Sequence, residues 1–281
     1  MAEVRIGDRR LGPGEPCYVV AEAGSAHGGD LAQGRELIDA AAAAGADCVK
    51  FQVIFADEIV HPLSGSIALP GGSTPIYERF RALERGPEFY AALLERCRER
   101  GVEFLASAFG RRSAALLASL GVKAYKVASP ELNHLELLRE MRTLAGQSRP
   151  LVLSTGVSRL SDVERALAVS GGCTVLLHCI TAYPAPEEQY NLRLLGSLAA
   201  VFGVPVGVSD HSLDPLLVPG AALLEGACLL EKHITLSRRG GGLDDPIALE
   251  PEAFALMVGG LRRLRGLERG AARAELERQY G

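Results

Sequence analysis

Short apolar runs alternate with longer amphipathic segments along most of this chain. Runs such as VEFLAS (102–107) and TVLLHCI (174–180) are apolar almost throughout, whereas 30–46 repeats apolar residues at helical spacing. Asp30 can cap the helix at the start of that segment. The predicted strands are 17–22, 47–52, 102–107, 124–129, 150–155, 174–180, 204–209 and 227–234. The predicted helices are 30–46, 87–101, 111–121, 132–146, 161–172, 191–203, 214–226 and 251–267.

The alternation predicts an α/β fold, a TIM (β/α)8 barrel in which each strand is followed by a helix. Strands that are apolar throughout are typical of a parallel sheet that is buried on both faces. An open doubly wound sheet is the alternative, but no G-x-G-x-x-G motif follows the first predicted strand. We therefore expect residues 1–281 to form a single barrel domain, with 1–16 as a hairpin that closes its bottom and 266–281 as a helical tail.

The connection 53–86 is long for a loop in a compact domain, and such loops are usually functional. We expect it to act as a lid that carries Tyr77, Arg79 and Arg81. The glycine and proline residues that could serve as its hinges are Pro62, Pro70, Gly71, Gly72 and Pro75.

Composition and charge exclude several classes of protein. The 281 residues are 48% hydrophobic and have a formal net charge of −4, with both signs scattered along the chain. Without a basic stripe we expect no nucleic-acid partner, and no apolar stretch approaches the roughly 20 residues of a membrane span. The start, MAEVRIGDRR, has no apolar signal-peptide core, and the cysteines show no C-x-x-C spacing. We expect a cytoplasmic protein with reduced cysteines, for which a homo-oligomer remains open.

Polar residues gather where the predicted strands end, the end at which TIM barrels carry their chemistry. In LLEKHITL (229–236), Glu231 and His233 are two residues apart, so both point to one face of the strand. Lys232 points to the other face, where we expect a structural ion pair with the helix layer. The other polar residues at strand ends are Glu22, Lys50, Gln52, Ser107, Lys126, Ser129, Ser154, Thr155, His178, Ser209 and His211.

These side chains predict three binding functions at one mouth. Lys50 and Lys126, with nearby serine hydroxyls, suit an anion that bears phosphate or carboxylate groups. A second group of residues suits a divalent transition metal, namely His211, His233, Glu231 and Asp244. A hydroxylated substrate could be positioned or protonated by Glu22 and Glu131.

Several motifs, in this order, make the chain resemble the sialic acid synthase (N-acetylneuraminate synthase) family. The motifs are AEAGSAHGGDLAQGRELIDAAAAAGADCVKFQ, GVEFLASAFG, AYKVASPEL, PLVLSTG, LLHCITAYPAPEEQYNLR, VGVSDHSLD, and LLEKHITL through DDPIALEP. The resemblance implies a transferase that condenses phosphoenolpyruvate with an open-chain sugar aldehyde and releases phosphate. It also implies a divalent metal, most commonly Mn²⁺, with Co²⁺ or Mg²⁺ as alternatives.

Carried over position by position, the resemblance also implies residue roles. Phosphoenolpyruvate is held by Lys50, Ser107, Lys126, Ser129, Ser154 and Ser209. The metal is ligated by His211 and His233, with Glu231 and Asp244 supporting its waters or the sugar. The sugar is faced by Glu22, Gln52, Glu131 and Tyr183. The expected catalytic groups are Glu22, Glu131, Lys50 and Lys126.

The sequence departs from the family pattern mainly on the sugar side. Ala26 replaces an Asn, Ser107-Ala108 replaces Thr-Pro, Thr181 replaces Asn or Ser, and Asp245 replaces a His. Typical members also continue into a small antifreeze-like domain, which this chain is expected to lack. We therefore expect retained chemistry with an altered aldehyde, and poor activity on N-acetylmannosamine.

Two other interpretations remain open. The chain could be a different metal-dependent barrel lyase or aldolase, or a non-catalytic relic that binds a phosphorylated ligand. The intact set Lys50, Lys126, His211 and His233 favours an enzyme over a relic.

Overall fold

The computed structural model describes residues 4–69, 72–267 and 269–280. Its strands are β1 (Val4–Ile6), β2 (Arg9–Leu11), β3 (Tyr18–Gly24), β4 (Cys48–Gln52), β5 (Ser66–Leu69), β6 (Gly72–Pro75), β7 (Glu103–Ser107), β8 (Tyr125–Val127), β9 (Leu151–Ser154), β10 (Thr174–Cys179), β11 (Val206–Asp210) and β12 (Leu229–His233). Its α-helices are α1 (Leu31–Ala43), α2 (Ala56–Ile59), α3 (Ile76–Ala82), α4 (Pro87–Arg100), α5 (Arg111–Ser119), α6 (Leu135–Ala145), α7 (Leu160–Ser170), α8 (Leu194–Phe202), α9 (Leu217–Leu224), α10 (Pro251–Arg265) and α11 (Arg269–Tyr280).

Within these ranges, eight parallel strands close into a barrel in the order β3, β4, β7, β8, β9, β10, β11, β12 and back to β3. The predicted TIM barrel is therefore confirmed, and so is the parallel pairing. Strands β3 and β12 are buried along their whole length, which explains why they read as continuous apolar runs. Inward and outward side chains alternate, so every second residue of a strand reaches the barrel interior.

The lower half of the barrel interior is filled by apolar side chains. The β1–β2 hairpin contributes Val4, Ile6 and Leu11 to an inner cluster that also contains Val20 and Leu177. A larger cluster joins the outward faces of the strands to the surrounding helices. The predicted closure of the barrel bottom by an N-terminal hairpin is thus confirmed, and only the upper end of the barrel is left for polar side chains.

Local chemistry sets the helix ends. The Asp30 side chain accepts hydrogen bonds from Ala32 N at 2.7 Å and Gln33 N at 3.2 Å, which caps α1 as predicted. Helix α4 ends where Gly101 takes a φ of 68°, a left-handed conformation that favours glycine. The predicted strand 124–129 is shorter, because Ser129–Asn133 forms a 3-10 turn around Pro130.

The connection 53–86 is more structured than a plain loop. It contains α2, the antiparallel β5–β6 hairpin and α3. Glu58 accepts hydrogen bonds from Arg112 N at 2.6 Å and Ser113 N at 3.1 Å, so α2 is anchored to the start of α5. Two of the predicted hinge residues, Pro70 and Gly71, lie outside the described residues.

Two further expectations concern the whole chain. All six cysteines are free thiols, as predicted. In the described ranges, no helix combines the length and the apolar character needed to cross a bilayer.

Candidate active site

A cavity of about 310 Å³ opens at the carboxyl ends of the barrel strands. Most of the predicted site residues line it together, although they are spread over the sequence. Those residues are Glu22, Lys50, Gln52, Ser107, Lys126, Ser129, Ser154, Tyr183, Ser209, His211, Glu231, His233 and Asp244. The strand ends thus converge as the TIM-barrel prediction required.

Two buried lysines form the floor of this cavity. Lys50 Nζ lies 2.8 Å from Glu22 Oε2 and 3.6 Å from Glu231 Oε1. Lys126 Nζ donates a hydrogen bond to Ser154 Oγ at 2.7 Å and lies 3.8 Å from Glu231 Oε1. The floor therefore holds two ammonium groups and two carboxylates within one desolvated space, where charges interact strongly.

The environment shifts the pKa of each of these groups. Burial lowers the pKa of Lys126, whereas the carboxylates of Glu22 and Glu231 outweigh burial at Lys50 and raise its pKa. At Glu231, attraction by Lys126 and Lys50 outweighs burial and lowers the pKa. Burial raises the pKa of Glu22 to about 7. One carboxyl of the floor can therefore gain or lose a proton near neutral pH, while the other stays ionised.

Hydroxyl groups surround the lysines. Ser209 Oγ donates a hydrogen bond to Glu231 Oε1 at 3.0 Å. Ser129 Oγ accepts one from Gly156 N at 3.1 Å, and a Cβ added at Gly156 would lie only 2.1 Å from Thr181 Oγ1. Position 156 therefore has room only for glycine, and the absence of a side chain there lets the Gly156 amide come close to Ser129.

Two histidines form one wall of the cavity. The rings of His211 and His233 lie 5.5 Å apart, and Tyr183 stacks on His211 at 4.3 Å between ring centroids. His211 Nδ1 lies 2.8 Å from Ile180 O, so it carries the hydrogen and donates it to that carbonyl. The lone pair of His211 is then on Nε2, the atom on the side of Ser209.

This wall has the donor chemistry that a divalent transition metal requires. Burial lowers the pKa of both His211 and His233, so both imidazoles are neutral at pH 7. The Asp244 carboxylate is 3.9 Å from His233 Nδ1, and Glu231 Oε2 is a buried oxygen with no hydrogen-bond partner in the described part of the chain. Neutral imidazoles beside carboxylates suit such an ion. No group of three or more His, Cys, Asp or Glu side chains in the described ranges forms a compact ligand set on its own.

Some residues predicted for the mouth lie elsewhere. Glu131 follows Pro130 in the 3-10 turn and pairs with His134 at 3.6 Å, so it is not part of the cavity lining. Thr155 and His178 line a separate cleft on the outside of the barrel, and His178 Nε2 donates a hydrogen bond to Tyr190 O at 2.6 Å. The expectation that the polar residues at strand ends share one mouth was therefore wrong for Thr155 and His178, and Glu131, which the resemblance had assigned to the sugar, lies outside this lining.

The expectation for Lys232 is confirmed. Its side chain points away from the mouth and forms a fully buried ion pair with Asp210 at 2.6 Å. The partner lies on the neighbouring strand β11 rather than on a helix.

The cavity also has an apolar rim that the sequence interpretation did not assign. Ile59 and Phe80 come from the connection 53–86, and Phe109 and Leu243 come from other loops. Arg79 Nη2 donates a hydrogen bond to Gly241 O at 2.9 Å, which ties α3 to the loop that carries Leu243. The only sequence signal for this rim was the unusual length of 53–86. The other lining residues that the prediction did not assign are Ser25, Ala128, Pro130, Cys179 and Thr181.

Comparison with known proteins gives a consistent family. The NeuB family model matches residues 37–271 of this chain. The spore coat polysaccharide biosynthesis protein SpsE of Bacillus subtilis is 38% identical over 288 residues, which cover 100% of this chain and 76% of SpsE. The N,N'-diacetyllegionaminic acid synthase of Legionella pneumophila is 35% identical over 268 residues, covering 91% of this chain and 74% of that enzyme.

A solved structure matches the barrel as a whole. The N-acetylneuraminic acid (sialic acid) synthetase of Leptospira borgpetersenii, crystallised in complex with citrate, superposes with a TM-score of 0.85. The two chains are 28% identical, and the match covers 100% of this chain and 97% of the Leptospira chain.

Proposed function

Since the chain belongs to the NeuB family of carbon–carbon bond-forming synthases, we propose that it condenses phosphoenolpyruvate with a sugar-like aldehyde in a metal-dependent reaction. The products are a 2-keto-3-deoxy sugar acid, similar to a sialic acid, and inorganic phosphate. One observation carries the proposal: a floor of lysine and serine side chains meets a wall of two neutral imidazoles in a single buried cavity.

The floor supports the assignment of the phosphoenolpyruvate site. Phosphate and carboxylate groups are bound best by charged donors and hydroxyls held in fixed positions. Lys50 and Lys126 supply the charge, and each ammonium group is already oriented by a serine, Ser107 at 3.3 Å and Ser154 at 2.7 Å. Ser129 and Ser209 add further hydroxyls to the same cavity lining.

The imidazole wall supports the assignment of the metal. His211 and His233 would hold a divalent ion such as Mn²⁺, with Co²⁺ and Mg²⁺ as alternatives, and Glu231 and Asp244 would position its waters. Bound there, the ion would act as a Lewis acid on the aldehyde oxygen. The tautomer of His211, fixed by Ile180 O, presents the lone pair that such an ion needs.

The proposed reaction joins carbon 3 of phosphoenolpyruvate to the aldehyde carbon. Water adds at carbon 2, and phosphate leaves by cleavage of the bond between carbon 2 and its bridging oxygen. The attacking water loses both protons as its oxygen becomes the new keto oxygen: the former aldehyde oxygen takes one, and the other leaves with the inorganic phosphate. Glu22, buried beside Lys50, is our candidate for moving these protons. The chain's main contribution is to hold two substrates in register on a rigid barrel end.

The upper part of the cavity supports binding of the aldehyde. Gln52 Nε2 donates a hydrogen bond to Glu22 Oε1 at 3.3 Å, and Tyr183 stands over the imidazole wall. These groups and Asp244 offer hydrogen bonds to a polyhydroxy chain, while Phe80 and its neighbours on the rim offer apolar contact. We propose an aldehyde that carries both hydroxyl and apolar substituents, such as acylamino groups.

The test is phosphate release from phosphoenolpyruvate with Mn²⁺ and a panel of aldehydes, followed by mass spectrometry of the product. N-acetylmannosamine and its 6-deoxy diacetamido analogue belong in the panel beside unsubstituted sugar phosphates. Phosphoenolpyruvate labelled with ¹⁸O at the bridging position should yield labelled phosphate. Release of unlabelled phosphate, or a product without the three carbons of phosphoenolpyruvate, would exclude the proposed reaction.

A further inference from the structure

The ion pair between Lys232 and Asp210 lies on the outer side of the barrel wall, directly behind the imidazole wall. The two residues are opposite each other on β11 and β12, and both side chains have 0% exposure. Alternation along the strands sends their neighbours Ser209 and Glu231 into the mouth. A desolvated charge is costly to keep, so its partners indicate what it does.

The Lys232 ammonium group is bound to the chain that follows β11. Besides Asp210, it donates hydrogen bonds to Ser212 O at 2.6 Å and Ser212 Oγ at 3.2 Å, and more weakly to Asp214 O at 3.4 Å. These partners lie immediately after His211 in the sequence. The ammonium group thus fixes the backbone on one side of that histidine.

Asp210 fixes the other contacts around the same residue. Its Oδ1 accepts a hydrogen bond from Ser212 N at 2.8 Å, and burial followed by the charge of this carboxylate raises the pKa of the Tyr190 hydroxyl. That hydroxyl in turn accepts a hydrogen bond from His211 N at 2.7 Å, and Ala185 N donates one to His211 O at 3.0 Å. The backbone of His211 is therefore held from both sides by a network that has the ion pair at its centre.

The ring of His211 depends on this backbone position. Nδ1 reaches Ile180 O at 2.8 Å, and this contact selects the tautomer that leaves the lone pair on Nε2, which lies 3.5 Å from Ser209 Oγ in the cavity wall. If the backbone of His211 were displaced, Nδ1 would move away from Ile180 O, and the ring could then adopt either tautomer. We propose that Lys232 and Asp210 are positioning residues that set the orientation and tautomer of His211. The consequence for turnover rests on the proposed function, whereas the positioning of the ring does not.

The experiment reads the ring directly. Long-range ¹H–¹⁵N correlation spectra of the ¹⁵N-labelled full chain, without metal or substrate, report which imidazole nitrogen carries the hydrogen. The His211 signals are identified by their loss in His211→Gln, and we expect Nδ1–H in the wild type. Lys232→Met should convert them to a mixture of tautomers. Unchanged His211 signals in a folded Lys232→Met protein would overturn the proposal.

A matched control separates positioning from general stability. Arg142 also donates to several backbone carbonyls, including Ser170 O and Cys173 O, but it lies at the opposite end of the strands. Arg142→Met should lower the melting temperature and leave the His211 signals as in the wild type. A change of the His211 signals in this variant equal to that in Lys232→Met would also overturn the proposal, since any loss of stability would then suffice.

A second variant covers the case in which Lys232→Met does not fold. Replacing the whole pair, Lys232→Met with Asp210→Leu, removes both buried charges and is often tolerated. His211 should still lose its tautomer preference, and retention of Nδ1–H alone would refute the proposal.

Metal affinity and kinetics supply the functional readouts. Groups that orient a ligand from behind typically change metal affinity by about 10- to 100-fold, so the Mn²⁺ dissociation constant of the double variant should rise by that factor. In turnover, kcat should fall while the KM for phosphoenolpyruvate, set by Lys50 and Lys126, should stay within about twofold. If the wild type has no turnover, the proposed reaction fails, but the spectra still decide the positioning.

Discussion

The imidazole rings of His211 and His233 lie 5.5 Å apart and are inclined by 53°. They reach the cavity from the ends of neighbouring strands, β11 and β12, which are in register at Ser209 and Glu231. Either ring can therefore be removed without breaking a strand pairing. Because these side chains are not needed for strand pairing, substitutions at the two histidines should test the site without unfolding the barrel.

The first prediction concerns the metal. A chelator should abolish turnover, Mn²⁺ or Co²⁺ should restore it, and His233→Ala should weaken Mn²⁺ binding at least 10-fold because the ion loses a ligand. The measurement is Mn²⁺ titration followed by electron paramagnetic resonance, with circular dichroism as the check on folding. His61→Ala, at an exposed histidine outside the cavity lining, is the control and should bind Mn²⁺ normally. Full turnover by a metal-free preparation would contradict the prediction.

The second prediction concerns the anion site. Lys126→Met should reduce affinity for phosphoenolpyruvate about 10- to 100-fold, since a charge-assisted hydrogen bond contributes ~1.5–3 kcal/mol. Lys50→Met should have a comparable effect, because both ammonium groups share the floor with Glu231. Isothermal titration with phosphoenolpyruvate measures this loss. Lys123→Met, an exposed lysine close to β8, should leave the affinity unchanged. Wild-type affinity in both floor variants would remove these residues from the site.

The third prediction concerns stability in acid. His27 is fully buried, its Nδ1 accepts a hydrogen bond from Gly29 N at 2.8 Å, and burial followed by repulsion from Arg85 lowers its pKa from 6.5 to about 4. The unfolded chain therefore binds a proton more readily than the folded protein. The stability from neutral His27 is present above pH 6.5 and is lost as the pH falls toward 4, by about 2 kcal/mol at pH 5.

The measurement for His27 is urea unfolding at pH 7 and at pH 5. His27→Gln cannot take up this proton, so its stability should fall less between the two pH values than that of the wild type. Comparing the change with pH, rather than the absolute stability, cancels the cost of the substitution itself. Equal changes in both proteins would show that His27 takes no part in the acid response.

The fourth prediction concerns the connection 53–86. Arg79→Ala removes the hydrogen bond to Gly241 O and should loosen α3 from the loop that carries Leu243. We expect a higher KM for the aldehyde, an unchanged KM for phosphoenolpyruvate and faster proteolysis within 53–86. Arg81→Ala, an exposed residue on the same helix, is the matched control. The lid interpretation is wrong if proteolysis of 53–86 is equally fast with and without phosphoenolpyruvate, metal and aldehyde.

The barrel was predictable because its strands are buried on both faces, so apolar runs marked them without tertiary information. The lysine floor was predictable for a related reason, since Lys50 and Lys126 are isolated charges inside the apolar strands β4 and β8. The alternation of inward and outward side chains along β10 could also have predicted the direction of His178 correctly. Val175 and Leu177 point into the barrel, so Cys179 follows them inward and His178 must point outward.

Other parts of the site depend on tertiary contacts that have no local signal. Phe80 reaches the mouth only because Glu58 and Arg79 fix the connection 53–86 over the barrel end. Likewise, Glu131 was assigned to the sugar by the family resemblance and as a carboxylate suited to a hydroxylated substrate, whereas in the structure it lies in the 3-10 turn around Pro130 and pairs with His134. Phe80 lies in α3 and Glu131 in a 3-10 turn, and the periodicity of such a short segment does not tell where it packs on the barrel.

The tie between Arg79 and Gly241 has a consequence for how such enzymes diversify. The lysine floor is built on the barrel strands, whereas the apolar rim comes from three segments: 53–86 supplies Ile59 and Phe80, and two other loops supply Phe109 and Leu243. The Arg79–Gly241 hydrogen bond joins two of these segments, 53–86 and the loop with Leu243, so these two form one unit. Grafting 53–86 together with 236–250 from a relative should transplant its choice of aldehyde onto this barrel, while moving either segment alone would leave the two joined segments mismatched.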